Sequence, residues 1–144
     1  MASALSGFFS KSNIQPWNGA EIYDNELYFG GAIATDNLKK LKAHKVAHIM
    51  NVANDVPNHH PNEFTYINLK VRDMEQDEGI SRVFDQAFEK LDKIMKQDDA
   101  RVLVHCAVGL NRSATILLRK LCIEMVYNLI KHLRSLTRRG ECLS

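Results

Sequence analysis

The chain has 144 residues, of which 45% are hydrophobic and 25% are charged, and its formal net charge is +2. This size and composition predict one globular domain with a single hydrophobic core. The net charge is too small to indicate nucleic acid, no apolar segment approaches the length of a membrane span, and the N-terminus lacks a signal-peptide pattern. We therefore expect neither a nucleic-acid nor a membrane partner and a location in the cytoplasm or nucleus.

The N-terminal 19 residues show no sustained hydrophobic period and are predicted to form an arm before a domain that runs from residue 20 to residue 144. Apolar residues on both sides of residues 24 and 25 predict a β-hairpin at the start of this domain. The following segments alternate between helical and strand patterns, namely a helix at 32–42, strands at 46–52 and 64–71, a loop at 54–62, an acidic loop at 73–79, a helix at 80–95 and a strand at 101–105. This alternation predicts an α/β fold in which a central, mostly parallel sheet is flanked by helices.

The C-terminal part has neither Gly nor Pro between residues 113 and 139, but its apolar residues form two stripes that are out of phase on a helix. The shift predicts a break near residues 124–128, or two helices whose connection has been shortened, as a deletion or an alternative splice would produce. The domain is therefore predicted to be irregular or shortened from about residue 119. The two stripes are Leu117, Leu118, Leu121 and Met125, and then Val126, Leu129, Leu133 and Leu136.

The most informative segment is 105–113, where Cys106 and Arg112 lie six positions apart between a predicted buried strand and a predicted helix. The connecting loop must lie at the helix N-terminus, where unpaired backbone N–H groups and the helix dipole favour a phosphoryl dianion and a cysteine thiolate. Gly109 permits a tight turn, and the planar guanidinium of Arg112 can bind two phosphate oxygens. Ser113 can donate a hydrogen bond to the cysteine sulfur. The segment therefore predicts a phosphate-binding loop with a nucleophile at its base.

A purely structural interpretation of the same residues is a small buried cysteine followed by an arginine at a helix start. However, an arginine at the positive end of a helix is poorly placed unless it has an anionic partner. The histidines at 44, 48, 59 and 60 lack the spacing of metal ligands, so we expect no metal site. Basic residues near the C-terminus indicate a solvated helix face that could attract acidic partners, and they are Lys131, Arg134, Arg138 and Arg139.

The segment His105-Cys106, with Arg112-Ser113 after five intervening residues, resembles the signature loop of the cysteine-dependent protein phosphatases. Within that superfamily, residues 102–109 and 112–115 are most similar to the dual-specificity phosphatases, in particular to their small, atypical, single-domain type. The resemblance extends over about residues 20 to 118, because further segments follow the order and spacing of that family, namely 27–31, 48–53, 64–67 and 71–73.

The resemblance implies a phosphatase catalytic domain that hydrolyses phosphotyrosine and phosphoserine or phosphothreonine through a cysteinyl-phosphate intermediate. It implies that Cys106 is the nucleophile, that Ser113 assists departure of the thiolate, and that His105 supports the thiol through hydrogen bonds. It also implies that no metal or organic cofactor is needed. The phosphoryl group would be bound by Arg112 and by the loop residues Ala107, Val108, Gly109, Leu110 and Asn111.

The family also uses a loop aspartate as general acid, about thirty residues before the cysteine. Asp73 lies 33 residues before Cys106 and directly follows a predicted strand, so the resemblance selects it. Asp77 is the alternative, because the acidic loop is one residue longer than expected. Phosphoproteins are the expected substrates, and a protein kinase is a further candidate partner.

Three other functions compete with this interpretation. The segment Gly109-Leu110-Asn111-Arg112 also resembles RNA 5′-phosphatases of the same superfamily, whereas residues 107–108 and 113–115 resemble the protein phosphatases. A module that binds phosphopeptides without turnover is the second alternative, and a scaffold for a kinase is the third. Retention of both the cysteine and the arginine disfavours the binding module.

Overall fold

Five strands form one sheet in the computed structural model, which describes residues 19–23, 26–72, 79–107 and 111–139. The strands are β1 (Gly19–Tyr23), β2 (Leu27–Gly30), β3 (Val46–Ala53), β4 (Thr65–Val71) and β5 (Arg101–His105). The sheet order is β1-β2-β5-β3-β4, where β1 is antiparallel to β2 and the strands β2, β5, β3 and β4 are parallel to one another. The predicted mostly parallel sheet is confirmed.

Helices cover both faces of this sheet, which explains why its central strand is a continuous apolar run. The helices are α1 (Leu38–Ala43), α2 (Phe84–Met95) and α3 (Asn111–Arg138), with 3₁₀ helices at Ala32–Thr35 and Ile80–Val83. One core cluster joins Val102 and Val104 of β5 to Leu91 of α2 and Ile116 of α3. On the other face, Leu103 packs in a second cluster with residues of α1 and β3. Strand β5 is therefore held from both sides.

The helix predicted at 32–42 is divided in the structure. A 3₁₀ helix ends at Thr35, and α1 begins at Leu38 after Asn37. The side chain of Asn37 accepts a hydrogen bond from the Lys40 backbone N–H at 3.1 Å, which is a typical N-cap interaction. The cap starts a new helix at this position, so a single continuous helix was the wrong prediction.

The break predicted near residues 124–128 is also wrong, because Asn111–Arg138 forms one α-helix of 28 residues. The absence of Gly and Pro allows the helix to continue through the change of phase. The change instead alters which side of the helix is apolar. All the buried residues of α3 lie between residues 112 and 120, and they are Arg112, Ser113, Ile116, Leu117 and Lys120.

Candidate active site

The predicted strand and helix on either side of the Cys106 segment are present, and the strand ends at the carboxyl edge of the parallel sheet. Cys106 directly follows β5, the middle strand, and Arg112 and Ser113 lie in the first turn of α3. The carboxyl ends of parallel strands form the usual binding edge of an open α/β sheet. The fold therefore brings a thiol, a hydroxyl and a guanidinium to the N-terminal end of a long helix.

The Cys106 thiol is buried, with 1% of the residue exposed, and its sulfur lies 3.3 Å from the Ser113 hydroxyl oxygen. The same hydroxyl lies 3.5 Å from the carbonyl oxygen of Gly30, which is long for an O–H···O hydrogen bond. A negatively charged sulfur would therefore compete well for the single hydroxyl proton. The Ser113 hydroxyl is therefore placed to donate to the sulfur, beside the positive partial charge that the first turn of a helix carries.

His105 supports the cysteine from the end of β5. Its side chain is fully buried, and its Nδ1 lies 3.1 Å from the carbonyl oxygen of Cys106. Burial lowers the pKa of His105, although the backbone hydrogen bond to Cys106 acts in the opposite direction. The ring is therefore neutral near pH 7, and because a carbonyl oxygen can only accept, Nδ1 carries the proton that it donates. This bond fixes the backbone at the cysteine.

Arg112 is almost completely buried and is oriented by two groups from neighbouring strands. Its Nη1 donates to the Asp55 carboxylate at 2.8 Å and to the Val71 carbonyl oxygen at 2.8 Å. Val71 is the last residue of β4, and Asp55 follows the end of β3. The hydrogen bond from Arg112 lowers the pKa of Asp55 below its usual range, so Asp55 is an anion at neutral pH. The guanidinium is thus held at the same edge of the sheet as the thiol.

Asp55 was not among the predicted site residues. Hydrogen bonds from a buried asparagine, Asn51, stabilise the loop that carries it. The Nδ2 of Asn51 donates to the Val56 carbonyl oxygen at 2.8 Å and to Asn58 Oδ1 at 3.1 Å, while its Oδ1 accepts from the Ala53 N–H. These bonds bridge the residues before and after Asp55. The sequence signal that could have identified Asp55 is an acidic residue two positions after the end of a strand in a parallel sheet.

Other predicted site residues lie partly or wholly outside the described segments. Asp73 and Asp77 fall within 73–78, and Val108, Gly109 and Leu110 fall within 108–110, so all five lie outside the described residues. Ala107 is half-buried after the cysteine, and Asn111 is exposed at the start of α3. The general acid, Asp73 or Asp77, and the phosphate-binding role of residues 108–110 therefore stay predictions.

The adjacent histidines at 59 and 60 are engaged with protein groups near the 3₁₀ helix that follows β2. His59 Nδ1 lies 2.8 Å from an Asp36 carboxylate oxygen and 2.7 Å from the Thr35 hydroxyl. His60 Nε2 lies 3.2 Å from the Asp36 carbonyl oxygen. Among the residues that the structure describes, no group of three or more His, Cys, Asp or Glu side chains is arranged to hold a metal ion.

Comparisons with known proteins point to one family. A family model described as "Dual specificity phosphatase, catalytic domain" matches residues 27–141. The chain is 36% identical over 99 residues to Dual specificity protein phosphatase 1 of Arabidopsis thaliana, a match that covers 69% of this chain and 49% of that protein. It is also 36% identical over 105 residues to Dual specificity protein phosphatase 19 of Mus musculus, covering 73% of this chain and 43% of that protein. The chain thus spans half or less of the length of these relatives.

A solved structure shares the fold at lower sequence identity. The crystal structure of a mouse putative dual specificity phosphatase, complexed with zinc tungstate, matches with a TM-score of 0.65 and 19% identity. The match covers 79% of this chain and 70% of that one. At this level of sequence identity, the similarity shows a shared fold and nothing further.

Proposed function

Because the chain belongs to the dual specificity phosphatase family, we propose that it hydrolyses phosphotyrosine and phosphoserine or phosphothreonine in proteins through a cysteinyl-phosphate intermediate. The observation that carries the proposal is the placement of Cys106, Ser113 and Arg112 around the first turn of α3. The sulfur lies 3.3 Å from the Ser113 hydroxyl, and the adjacent guanidinium is fixed by Asp55 and Val71. This arrangement supplies a stabilised nucleophile beside a fixed, planar oxyanion ligand.

In the first step, the Cys106 thiolate attacks the phosphorus atom of the substrate. A sulfur–phosphorus bond forms while the bond from phosphorus to the side-chain oxygen breaks. Arg112 and the N–H groups of the loop hold the three equatorial oxygens during this transfer. We assign to Asp73 the proton that the leaving oxygen receives, because a serine or threonine alkoxide is a poor leaving group without it.

In the second step, water attacks the cysteinyl phosphate. Asp73, now a carboxylate, accepts a proton from that water, and the sulfur–phosphorus bond breaks to release inorganic phosphate. The Ser113 hydroxyl donates to the departing sulfur and so stabilises the thiolate that is regenerated. Neither step uses a metal ion or an organic cofactor.

Phosphoproteins are the substrates that we propose, with a protein kinase as a further candidate partner and the cytoplasm or nucleus as the location. The loop between Cys106 and Arg112 contains no lysine. This composition counts against highly charged phosphoinositide head groups, which favour additional cations in a binding loop.

The decisive experiment compares phosphate release from an aryl phosphate, from phosphotyrosine and phosphothreonine peptides, and from a triphosphorylated RNA. We expect turnover of the aryl phosphate and of both peptides, and none by Cys106→Ser. Cys122→Ser is the matched control, because Cys122 is an exposed cysteine on α3. It should retain full activity.

Each other outcome would overturn the proposal in a recognisable way. Faster hydrolysis of the RNA than of any peptide would indicate the RNA 5′-phosphatase branch. Phosphopeptide binding without turnover by the wild-type chain would indicate a binding module. Equal activity of wild type and Cys106→Ser would refute the cysteine mechanism.

A further inference from the structure

The buried ring of His105 keeps one nitrogen without a hydrogen-bond partner. Its Nδ1 donates to the Cys106 carbonyl oxygen, so Nε2 of the neutral ring carries a lone pair. Among the residues that the structure describes, Nε2 has no hydrogen-bond partner, although the residue is 0% exposed. A buried polar atom without a partner is uncommon, and water that reached the ring would bond to it. The neutral state of His105 therefore depends on the groups that keep water out.

His105 lies at the end of the middle strand, on the face of the sheet that α1 covers. Side chains alternate along a strand, so His105 shares its face with Leu103, which packs with residues of α1. Strands β2 and β3 flank β5, and their residues Gly30 and Asn51 are the neighbours of His105 in the sheet. The segments that follow β2 and β3 therefore lie on either side of the ring.

Two histidines after β3 bind to the 3₁₀ helix after β2 and to the residue that follows it. The Thr35 hydroxyl donates its single proton to the Ala32 carbonyl oxygen at 2.7 Å, so it can only accept from His59. His59 Nδ1 therefore carries a proton, which it shares between the Thr35 hydroxyl at 2.7 Å and an Asp36 carboxylate oxygen at 2.8 Å. His60 Nε2 donates to the Asp36 carbonyl oxygen at 3.2 Å. We call these contacts the histidine bridge, because they join the segments on either side of β5.

The histidine bridge lies close to His105. Thr35 is 1% exposed, and the 3₁₀ helix that it ends contacts β5. Ala34 of the same helix packs in the cluster of Leu103, on the face that carries His105. The electrostatics agree with this placement, because the charge of a protonated His59 lowers the pKa of His105. The side chain of His59 is 27% exposed, so it is the outer neighbour of a ring that is fully buried.

The other ionisable groups at this edge of the sheet are paired or lie on its opposite face. The side chain of Cys106 belongs to the core cluster of α2 and α3, on the face away from the ring. Arg112 is paired with Asp55. The side chains that α1 contributes to the face of the ring are apolar. The ionisable side chains of the histidine bridge itself are Asp36, His59 and His60.

We propose that His59 is a positioning residue for the cysteine nucleophile: its bridge to the 3₁₀ helix keeps water from His105, so the ring stays neutral and Nδ1 holds the Cys106 carbonyl. If water entered, Nε2 could take a proton, and a charged ring has two N–H donors to satisfy. The described residues give Nε2 no partner, so the charged ring would turn toward water and release the backbone at the cysteine. The role in catalysis rests on the proposed phosphatase function, whereas the exclusion of water does not.

The direct test follows the ring signal of His105 by NMR between about pH 5 and pH 8 in the full chain. Burial and the charge of His59 lower the pKa of His105, so the wild-type midpoint should lie below the ordinary value of about 6.5. In His59→Ala, water reaches Nε2 and the midpoint should rise toward that value. His48→Ala is the matched control, since it removes a half-buried histidine nearer the amino end of β3, and it should titrate like wild type. Identical midpoints in wild type and His59→Ala would overturn the proposal.

Two further variants test whether the hydrogen bonds of the bridge are responsible. His59→Asn keeps an N–H donor near the position of Nδ1, so it should preserve the wild-type titration of His105. Thr35→Val keeps the buried shape but removes the hydroxyl that accepts from His59, so it should raise the midpoint even if His59→Ala fails to fold. Added to His59→Ala, Thr35→Val should change the midpoint little more, because both remove one contact. Fully additive shifts would mean that the two side chains act separately and would contradict a bridge.

The kinetic test compares the pH dependence of kcat/KM for an aryl phosphate. Below about pH 6.5, His59→Ala should lose severalfold more activity than wild type, and well above that pH the two should be similar, because His105 is neutral in both. A loss that is equal at every pH, with an unchanged titration of His105, would assign His59 a purely structural role and refute its action through the ring. An inactive wild type would refute the proposed phosphatase function, and the NMR titration would still decide whether the histidine bridge excludes water.

Discussion

Replacing Asp55 with asparagine tests whether the orientation of Arg112 limits catalysis. Asparagine keeps the shape and an acceptor oxygen but removes the charge that faces Nη1 at 2.8 Å. Breaking a buried ion pair costs about 3–5 kcal/mol, whereas an exposed pair contributes about 0.2–1 kcal/mol. The Arg112 side chain is 5% exposed and that of Asp55 is 56% exposed, so solvent screens the pair from one side. We therefore expect the substitution to weaken the interaction that orients Arg112 by about 1–2 kcal/mol, near the lower of these limits.

The measured quantity is kcat/KM for hydrolysis of an aryl phosphate. A loss of about 1.4 kcal/mol of transition-state stabilisation corresponds to a tenfold decrease in kcat/KM. Glu63→Gln is the control. Glu63 also forms an ion pair, with Lys42 at 2.5 Å, and this pair lowers the pKa of Glu63. Glu63 precedes the amino end of β4 and therefore lies at the edge of the sheet opposite to Cys106. Unchanged kcat/KM in Asp55→Asn, or an equal decrease in Glu63→Gln, would refute a positioning role for Asp55.

The same pair predicts a pH dependence of stability. The pKa of Asp55 is lower in the folded chain than its ordinary value of about 3.9. Its contribution is therefore fully present above that ordinary value and is lost as the pH falls through the folded-state pKa. Urea midpoints of wild type and Asp55→Asn should differ at pH 7 and converge in acid. A difference that persists in acid would mean that the effect is not the charge of Asp55.

The remaining predictions concern the reacting groups. Arg112→Lys should be nearly inactive in the aryl phosphate assay, because a compact ammonium group cannot bind two oxygens in one plane. Asp73→Asn should lose about two to four orders of magnitude in turnover of phosphopeptides but much less on an aryl phosphate with a good leaving group. If Asp77→Asn shows that pattern instead, the general acid is Asp77. Dilute peroxide should oxidise Cys106 to a sulfenic acid and abolish turnover, and added thiol should restore it unless oxidation is prolonged. Retention of activity in peroxide would argue against a thiolate nucleophile.

The sequence predicted the fold well where the local pattern and the tertiary environment agree. Strand β5 is a continuous apolar run because helices cover both faces of the sheet, and that run is visible without any knowledge of its neighbours. The same holds for the hairpin of β1 and β2 and for the amphipathic pattern that became α2. The division before α1 was missed although its signal was local, since Asn37 is a favoured N-cap residue.

The part of the site that the sequence did not predict depends on contacts between distant residues. Asp55 and Arg112 are 57 positions apart and meet because the ends of β3 and β5 lie at one edge of the sheet. Periodicity and motif spacing report on neighbours along the chain, so they identified the cysteine, arginine and serine of one loop. They did not identify the carboxylate that the topology brings to this loop.

The wrong prediction of a break in α3 shows how a change of hydrophobic phase can be accommodated. Ending a helix leaves up to four C=O groups without intrahelical partners, and starting another leaves four N–H groups, so a break needs capping groups at both ends. Continuing the helix avoids that cost but leaves the second apolar stripe unburied. Lys120 lies at the transition, where it pairs with Asp92 of α2 and with Glu124 of its own helix. The continuity of α3 and the exposure of its second apolar stripe therefore have the same physical origin.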